Sequence, residues 1–338
     1  MPLKRIFQKR ISLLQAVFIC AFISGVIYFG VRMNFEGKIN SDSSLLAVSS
    51  DQLKTRRNQT GYKYSRPLFT VDLTQETESL ALIKKQVTDM INTDCQNGNL
   101  YQASVYMRDM ETGEWTSVNE DLTYHPGSLI KVPMLIYYLK QSEQDPNFLN
   151  KTFSIDSRLE GLPMQTYTNN SIEENKSYTI RELLKFMASY SDNKATYLLN
   201  KNADIPSFQK IFSDLGLVVP DVHDTSYSIT VKDYSLFMRV LYNSTYLTPE
   251  NSDFALSLLT QSSFTQGLSK ELPADVTIAR KFGEMKTADK RELHESGIVY
   301  YNKRPYMVTV MTKGYNPKNQ AAVISRLSSV VYSFFSKK

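Results

Sequence analysis

The chain is poor in the residues that build crosslinks and metal centres. Its 338 residues include two cysteines, Cys20 and Cys95. One lies in a long apolar run and the other in the polar body, so no intrachain disulfide is expected. The three histidines, His125, His223 and His294, are far apart. HExxH and CxxC spacings are missing, and no metal or other cofactor is expected. Internal repeats and low-complexity tracts are missing too, which excludes a repeat architecture. A basic body is also lacking, despite a net charge of +5. Residues 1–75 hold eleven Lys/Arg and four Asp/Glu, whereas the remaining 263 hold 28 and 30. The positive excess is confined to the N-terminal part, which argues against nucleic acid as a partner.

What the N-terminal part does have is an uncharged run of 21 residues, Ile11 to Val31, long enough to cross a bilayer as a helix. Lys4, Arg5, Lys9 and Arg10 precede it, and Arg32 and Lys38 follow with Glu36 between them. The stronger basic cluster predicts a cytoplasmic residue 1–10 segment, a single span over 11–31 and an extracytoplasmic body at the cell membrane. A cleaved signal peptide is the competing reading, but its apolar region would be unusually long and no small-x-small site follows. A lipoprotein signal at Cys20 fits less well, because Phe18 and Ile19 are bulky. Residues 32–75, rich in Ser, Asn, Lys and Arg, read as a linker.

The body, residues 76–338, opens with a predicted helix near Glu76–Asn92, where Leu80, Leu82, Ile83, Val87, Met90 and Ile91 form an apolar stripe. Ala103, Val105 and Met107 then alternate with Ser104, Tyr106 and Arg108, and Glu111-Thr112-Gly113-Glu114 reads as a hairpin turn. Pro126 and Gly127 stop the extended chain before an apolar helix begins. The middle is helical: Thr179 with Glu182, and Thr230 with Asp233, have the spacing of N-terminal caps ahead of apolar stripes. Extended segments return at residues 276–285 and 296–314, the latter interrupted by Asn302-Lys303-Arg304-Pro305. A closing helix follows Asn316-Pro317. Two strands, a helical insert, three strands and a final helix predict an antiparallel sheet covered by helices, with an inserted helical subdomain.

Chemistry concentrates at "YHPGSLIKVPMLIYYL". Ser128 and Lys131 are one helical turn apart, so hydroxyl and ammonium share a face. The serine falls at a helix N-terminus, where free N–H groups and the helix dipole favour developing negative charge. A lysine desolvated there loses much of its preference for the charged form. As a neutral amine it can act as a base and make the serine a nucleophile. The spacing alone is cheap. Ser207 and Lys210 repeat it, with Ser207 read as a helix cap. What distinguishes Ser128 is the company of Ser191-Asp192-Asn193, which closes one helix and opens another, and of Lys281-Phe282-Gly283 on a predicted strand.

In that order the three stretches resemble the SxxK, SDN and KTG signature of the penicillin-recognising serine enzymes, most closely the class A β-lactamase-like family. The resemblance covers Glu76 to Lys338. It implies an α/β (α+β) fold of the β-lactamase/transpeptidase-like kind: a five-stranded antiparallel sheet flanked by helices, with an all-helical subdomain inserted. It also implies that Ser128 is the acylated nucleophile, Lys131 its proton acceptor, and Ser191 a proton shuttle to the leaving nitrogen. Asn193 would hold the substrate amide, and Lys281 would attract its carboxylate and keep Lys131 from protonating. The backbone N–H groups of Ser128 and Glu284, beside Gly283, would form the oxyanion hole, which does not require the Glu284 side chain.

Two departures stand against that pattern. Phe282 replaces the hydroxyl residue of the third motif, and losing one charge-assisted hydrogen bond costs about 1.5–3 kcal/mol. Lys286-Thr287-Ala288 imitates the motif in a polar loop. Second, the family's deacylating glutamate has no counterpart. Between Asn193 and Lys281 stand only Glu250, at a helix start, and Glu271, in a polar connection. Asp221, His223 and Asp224 read as loop residues. Acylation thus has its parts and hydrolysis of the acyl-enzyme does not. The leading expectation is a membrane-anchored serine hydrolase acting on β-lactams, slowly. The alternatives are a D,D-peptidase of cell-wall peptides, a non-turnover acyl trap or ligand-binding module, and a Ser-His-Asp esterase using His125, for which GxSxG is missing.

Overall fold

The hairpin expected around residue 111 forms. Strand β1, Gln102–Asp109, returns as β2, Trp115–Val118, with Arg108 opposite Trp115. These belong to a computed structural model that describes residues 61–65, 76–155, 162, 166–167, 170–221, 226–286, 290–302 and 304–337. All lie within one unit, Thr55–Lys338. The apolar run at 11–31, most of the linker, His223, Asp224, Thr287 and Ala288 fall outside the described residues. Among the described residues no helix is long and apolar enough to cross a membrane.

Two short antiparallel pairs follow: β3, Thr123–Tyr124, with β6, Ile229–Thr230, and β4, Thr152–Ser154, with β5, Ser177–Thr179. Late in the chain come β7, Thr277–Lys286, β8, Arg291–Tyr300, and β9, Tyr306–Gly314. The main sheet is antiparallel in the order β2-β1-β9-β8-β7. The first and last thirds of the body thus meet at its centre.

The helices are α1, Ala81–Gln96, preceded by a 3-10 turn at Glu78–Leu80; α2, Lys131–Ser142; α3, Ile180–Ser189; and α4, Asn193–Lys201. Then come α5, Ile205–Asp214; α6, Val231–Asn243; α7, Pro249–Leu259; and α8, Pro317–Phe335. Helices α1 and α8 cover one sheet face, where Ile83, Val87, Ile324 and Leu327 pack on Val105, Met107, Val308 and Val310. The helical insert covers the other, meeting Tyr106, Met307 and Met311. Alternation along β1 therefore sorts side chains between two cores rather than between core and water. Even Ser104 and Arg108 are buried.

The local signals explain most boundaries. Thr179 and Glu182 form a reciprocal capping box on α3, and Thr230 caps α6 by accepting from the Asp233 N–H at 3.0 Å. Asn316 caps α8, with Pro317 in its first turn. Two expectations are corrected. Leu82 is 62% exposed, because the buried stripe of α1 runs through Ile83, Val87 and Ile91. Ser207 is not the cap of α5: Asp204 is, accepting from the Ser207 N–H at 3.0 Å.

Candidate active site

The nucleophile candidate sits on a tight turn rather than in the α-helix proper. Gly127–Ile130 is a 3-10 turn that leads into α2, with the Leu129 N–H donating to Pro126 O at 3.0 Å. Gly127 has φ +52°, a region that costs little only for glycine. Its missing side chain also matters, since a Cβ there would run into the Glu284 main chain. On the opposing strand, a Cβ on Gly283 would lie 2.5 Å from Pro126 O and 2.8 Å from Leu129 N. Two glycines therefore allow β7 and the Ser128 turn to press main chain on main chain. Hydrogen bonds from behind brace the turn. The His125 N–H donates to Glu292 Oε2 at 2.8 Å, and the Gly127 N–H donates to His125 Nδ1 at 3.2 Å. Buried His294 accepts from the Thr312 N–H at Nδ1 (3.1 Å), which leaves its Nε2–H to donate to His125 O at 3.0 Å. Burial alone would raise the Glu292 carboxyl, but His294, Lys313 and the His125 N–H outweigh it and hold it below the usual range.

Ser191 is where the distant segments meet. Lys131 Nζ donates to Ser191 O at 2.5 Å, to Asn193 Oδ1 at 2.8 Å and to Ser191 Oγ at 3.2 Å. Lys281 Nζ donates to the same Ser191 Oγ at 2.8 Å and to Phe282 O at 2.7 Å. Ser191 carries φ +58°, a left-handed conformation uncommon for a residue with a Cβ. Asp192, beside it, locks the connection. It caps α4 through the Lys194 N–H (3.0 Å) and accepts from the Ile172 N–H (2.9 Å) and Ser171 Oγ–H (2.8 Å). Asn193 then starts α4 with its amide turned to Lys131.

Burial dominates the electrostatics. It pushes the Lys131 ammonium down to about 7, against the opposing pull of Asp192 and Glu284. Lys281 is wholly buried and is held well below the ordinary lysine range by that burial and by the Lys131 charge, with Glu295 and Glu284 opposing. Two ammonium groups on one hydroxyl repel, so the pair favours a single proton charge.

Ser128, Lys131, Asn193 and Glu284 line one cavity of about 420 Å³ together with Lys286, Arg291 and Glu292. Ser191 and Lys281 are not in its lining but are tied to it by the hydrogen bonds of Lys131 and Ser191 Oγ, and Gly283 lies against the Ser128 turn. A more apolar chamber of about 460 Å³ shares Gly127, Ile130, Lys131 and Met285 with it and runs on to Phe208 and Tyr227. Asp221 borders this second chamber. Lys286, expected in a polar loop, instead ends β7 and lines the Ser128 cavity. The other imitations lie elsewhere: Lys210 pairs with Asp214 at 2.5 Å on the surface of α5, Glu250 accepts from the Tyr62 hydroxyl at 2.5 Å, and Glu271 is exposed. Phe282 is buried, its ring stacked on Phe264 with centroids 4.6 Å apart. Sequence patterning missed the Glu284 side chain, whose Oε1 accepts from the Thr166 N–H at 2.6 Å. It missed the Glu292–His294 brace as well.

No curated protein sequence matches this chain. Solved structures do. A β-lactamase from Chitinophaga pinensis is 19% identical with a TM-score of 0.65, covering 75% of this chain and 99% of its own. A variant of PBP-A held as an acyl-enzyme with penicillin G is 20% identical with a TM-score of 0.64, covering 77% and 98%. A representative class A β-lactamase from Bacteroides cellulosilyticus is 17% identical with a TM-score of 0.64, covering 76% and 99%. These likenesses share the fold of sheet and inserted helices described above. The sequence profile of the Beta-lactamase enzyme family matches residues 82–335, and the chain belongs to that family.

Proposed function

We propose that the protein is a serine acyl-transfer enzyme that opens β-lactam rings, with Ser128 as nucleophile and Lys131 as base. The observation that carries this reading is the state of Lys131. It is buried one turn after Ser128 in the same cavity, with its pKa pushed down to about 7. An ammonium has three N–H donors, and Lys131 has three acceptors around it. As a neutral amine it keeps two of them and gains a lone pair. The longest contact, to Ser191 Oγ, is the one that can reverse, with the hydroxyl donating to the amine.

Ser128 Oγ then attacks the lactam carbonyl while Lys131 takes its proton. The carbonyl–nitrogen bond breaks, and the proton passes through Ser191 Oγ to the leaving nitrogen. Lys281 holds Ser191 Oγ from the other side. Asn193 binds the substrate amide, and the N–H groups of Ser128 and Glu284 receive the oxyanion. Deacylation needs an activated water. Among the described residues the carboxylates lining this cavity are Glu284, bound to Thr166, and Glu292, bound to His125, and slow turnover is the expectation. That slowness favours a second reading on the same machinery, a D,D-peptidase or an acyl trap for cell-wall peptides. Residues 11–31 would anchor the body to the outer side of the cell membrane.

Intact-mass measurement of the full chain after exposure to a penicillin tests this. A stable adduct of penicillin mass on the wild type, lost in Ser128→Ala, is expected. Equal labelling of both removes Ser128 from the mechanism. Fast decay of the adduct would mark an efficient β-lactamase, and persistence a peptidase or trap.

A further inference from the structure

Two cations face each other at one end of the Ser128 cavity. Lys286, the last residue of β7, is the Cα partner of Arg291, the first residue of β8, and both line the cavity. Like charges set directly across an antiparallel pair destabilise it. Among the described residues, neither side chain has an ion-pair or hydrogen-bond partner. The carboxylates of the same cavity are committed elsewhere. Glu284 Oε1 accepts from the Thr166 N–H at 2.6 Å. Glu292 accepts from the His125 N–H at 2.8 Å and stands 3.4 Å from both His294 Nε2 and Lys313 Nζ.

This pair differs from the other two lysines of the site. Lys131 and Lys281 are buried and spend their donors on Ser191, Asn193 and Phe282. Lys286 is exposed and Arg291 half-buried, so an arriving anion can reach both. Their place along β7 decides which part of a substrate they meet. Ser191 Oγ, the proposed donor to the leaving nitrogen, is held by Lys281, which precedes Glu284 on β7. Lys286 lies on the other side of Glu284, two residues further and about 7 Å along the strand. A lactam with its oxygen at the Glu284 N–H and its nitrogen toward Ser191 therefore directs its acyl arm toward Lys286 and Arg291.

We propose that Lys286 and Arg291 form an anion subsite for the acyl arm. The site favours acyl donors that carry a carboxylate on the acyl side of the bond to be broken, in addition to any on the leaving side. The guanidinium can hold that carboxylate with two parallel N–H donors, and the lysine adds a point charge. This rests on the acyl-serine reading above and names the substrate class within it.

The test uses three penicillins that differ at one carbon of the acyl arm: benzylpenicillin, carbenicillin with a carboxylate there, and ampicillin with an amino group. All keep the ring carboxylate. Acylation of the full chain in detergent is followed by intact mass, and each rate is divided by that compound's rate with hydroxide to remove intrinsic reactivity. In the wild type, carbenicillin is expected to exceed benzylpenicillin about fivefold or more, and ampicillin to gain nothing. The Lys286→Gln Arg291→Gln double variant should bring carbenicillin down to the benzylpenicillin rate. Raising salt from about 20 mM to about 500 mM should lower the wild-type ratio, because screening weakens attraction, and this needs no variant. Lys290→Gln is the control. It removes a charge from the same hairpin, but its ammonium lies over the Tyr101 ring at 3.7 Å and outside the cavity lining, so the ratio should hold. Carbenicillin no faster than benzylpenicillin, an equal gain for ampicillin, a ratio unmoved by the double variant or by salt, or an equal fall in Lys290→Gln overturns the subsite while leaving acylation of Ser128 intact. Failure of all three penicillins to acylate overturns the acyl-serine reading and the subsite with it.

Discussion

Lys131 and Lys281 direct their ammonium groups at a single atom, Ser191 Oγ, from 3.2 and 2.8 Å. The two lysines enter from α2 and from β7, 150 residues apart in sequence, and burial first, then the Lys131 charge, push Lys281 down. The hydroxyl between them can accept from one and donate to the other, which suits it to the proton relay proposed above.

The first consequence is a pH profile. With Lys131 as the proposed base its amine is the active form, so acylation should rise with pH through about 7, the value to which burial pushes it down. Below that point the rate should fall about tenfold per pH unit. Single-turnover labelling across pH 5 to about 9 measures it. A profile flat between about pH 6 and 8 would take Lys131 out of the proton-transfer step.

The same depression acts on stability, with the opposite sense from a stabilising ion pair. The folded chain holds Lys131 near 7 against an ordinary 10.5, so between these values the unfolded state binds more protons. The penalty of burying the lysine is complete below about pH 7 and fades as pH rises toward the unfolded value. Urea unfolding should show the wild type gaining about 2 kcal/mol more than Lys131→Met between pH 7 and pH 9. Removing Lys131 also relieves Lys281, which flattens the variant further. Parallel curves would mean that Lys131 is solvated in the folded protein.

Much of this site is legible in sequence because its parts are local. The Ser128–Lys131 spacing, the cap formed by Asp192 and the strand around Lys281 all depend on neighbours within a few residues. The capping box of Thr179 and Glu182 was readable for the same reason. Ser207 is not the cap, although the signal for the true one stands beside it. Asp204 followed by Pro206 is the stronger N-terminal pattern, and a carboxylate outcompetes a hydroxyl one turn later. What stayed hidden depends on contacts across the chain. The Glu284 field at Lys131, the binding of Ile172 to Asp192 and the tautomer of His294 all arise only once β7, β8 and the helical insert are packed together.

Gly283 should tolerate no side chain. A Cβ would sit 2.5 Å from Pro126 O and 2.8 Å from Leu129 N, both backbone atoms that cannot swing aside. Gly283→Ala must push β7 off the Ser128 turn, which separates the two proposed oxyanion donors. Acylation should drop by about a hundredfold or more, in line with removal of one such donor, and unfolding should come at lower denaturant. Near-normal acylation in this variant would show that β7 does not contribute to the oxyanion hole.

Phe282 invites the reverse experiment, restoring a hydroxyl where the ring now lies. The ring is 1% exposed, stacked on Phe264 at 4.6 Å and set under the Lys281 ammonium at 4.3 Å. Phe282→Thr exchanges this packing for a donor that a ligand carboxylate can use. The gain is one charge-assisted hydrogen bond, about tenfold or more in acylation by benzylpenicillin. The loss is that of a large buried ring, about 3 kcal/mol or more. The two effects separate experimentally, since labelling kinetics read the first and the urea midpoint reads the second. Faster labelling at a lowered midpoint is the expected result. A lowered midpoint with unchanged labelling would place the ligand carboxylate away from β7, and Phe282 would then serve the core alone.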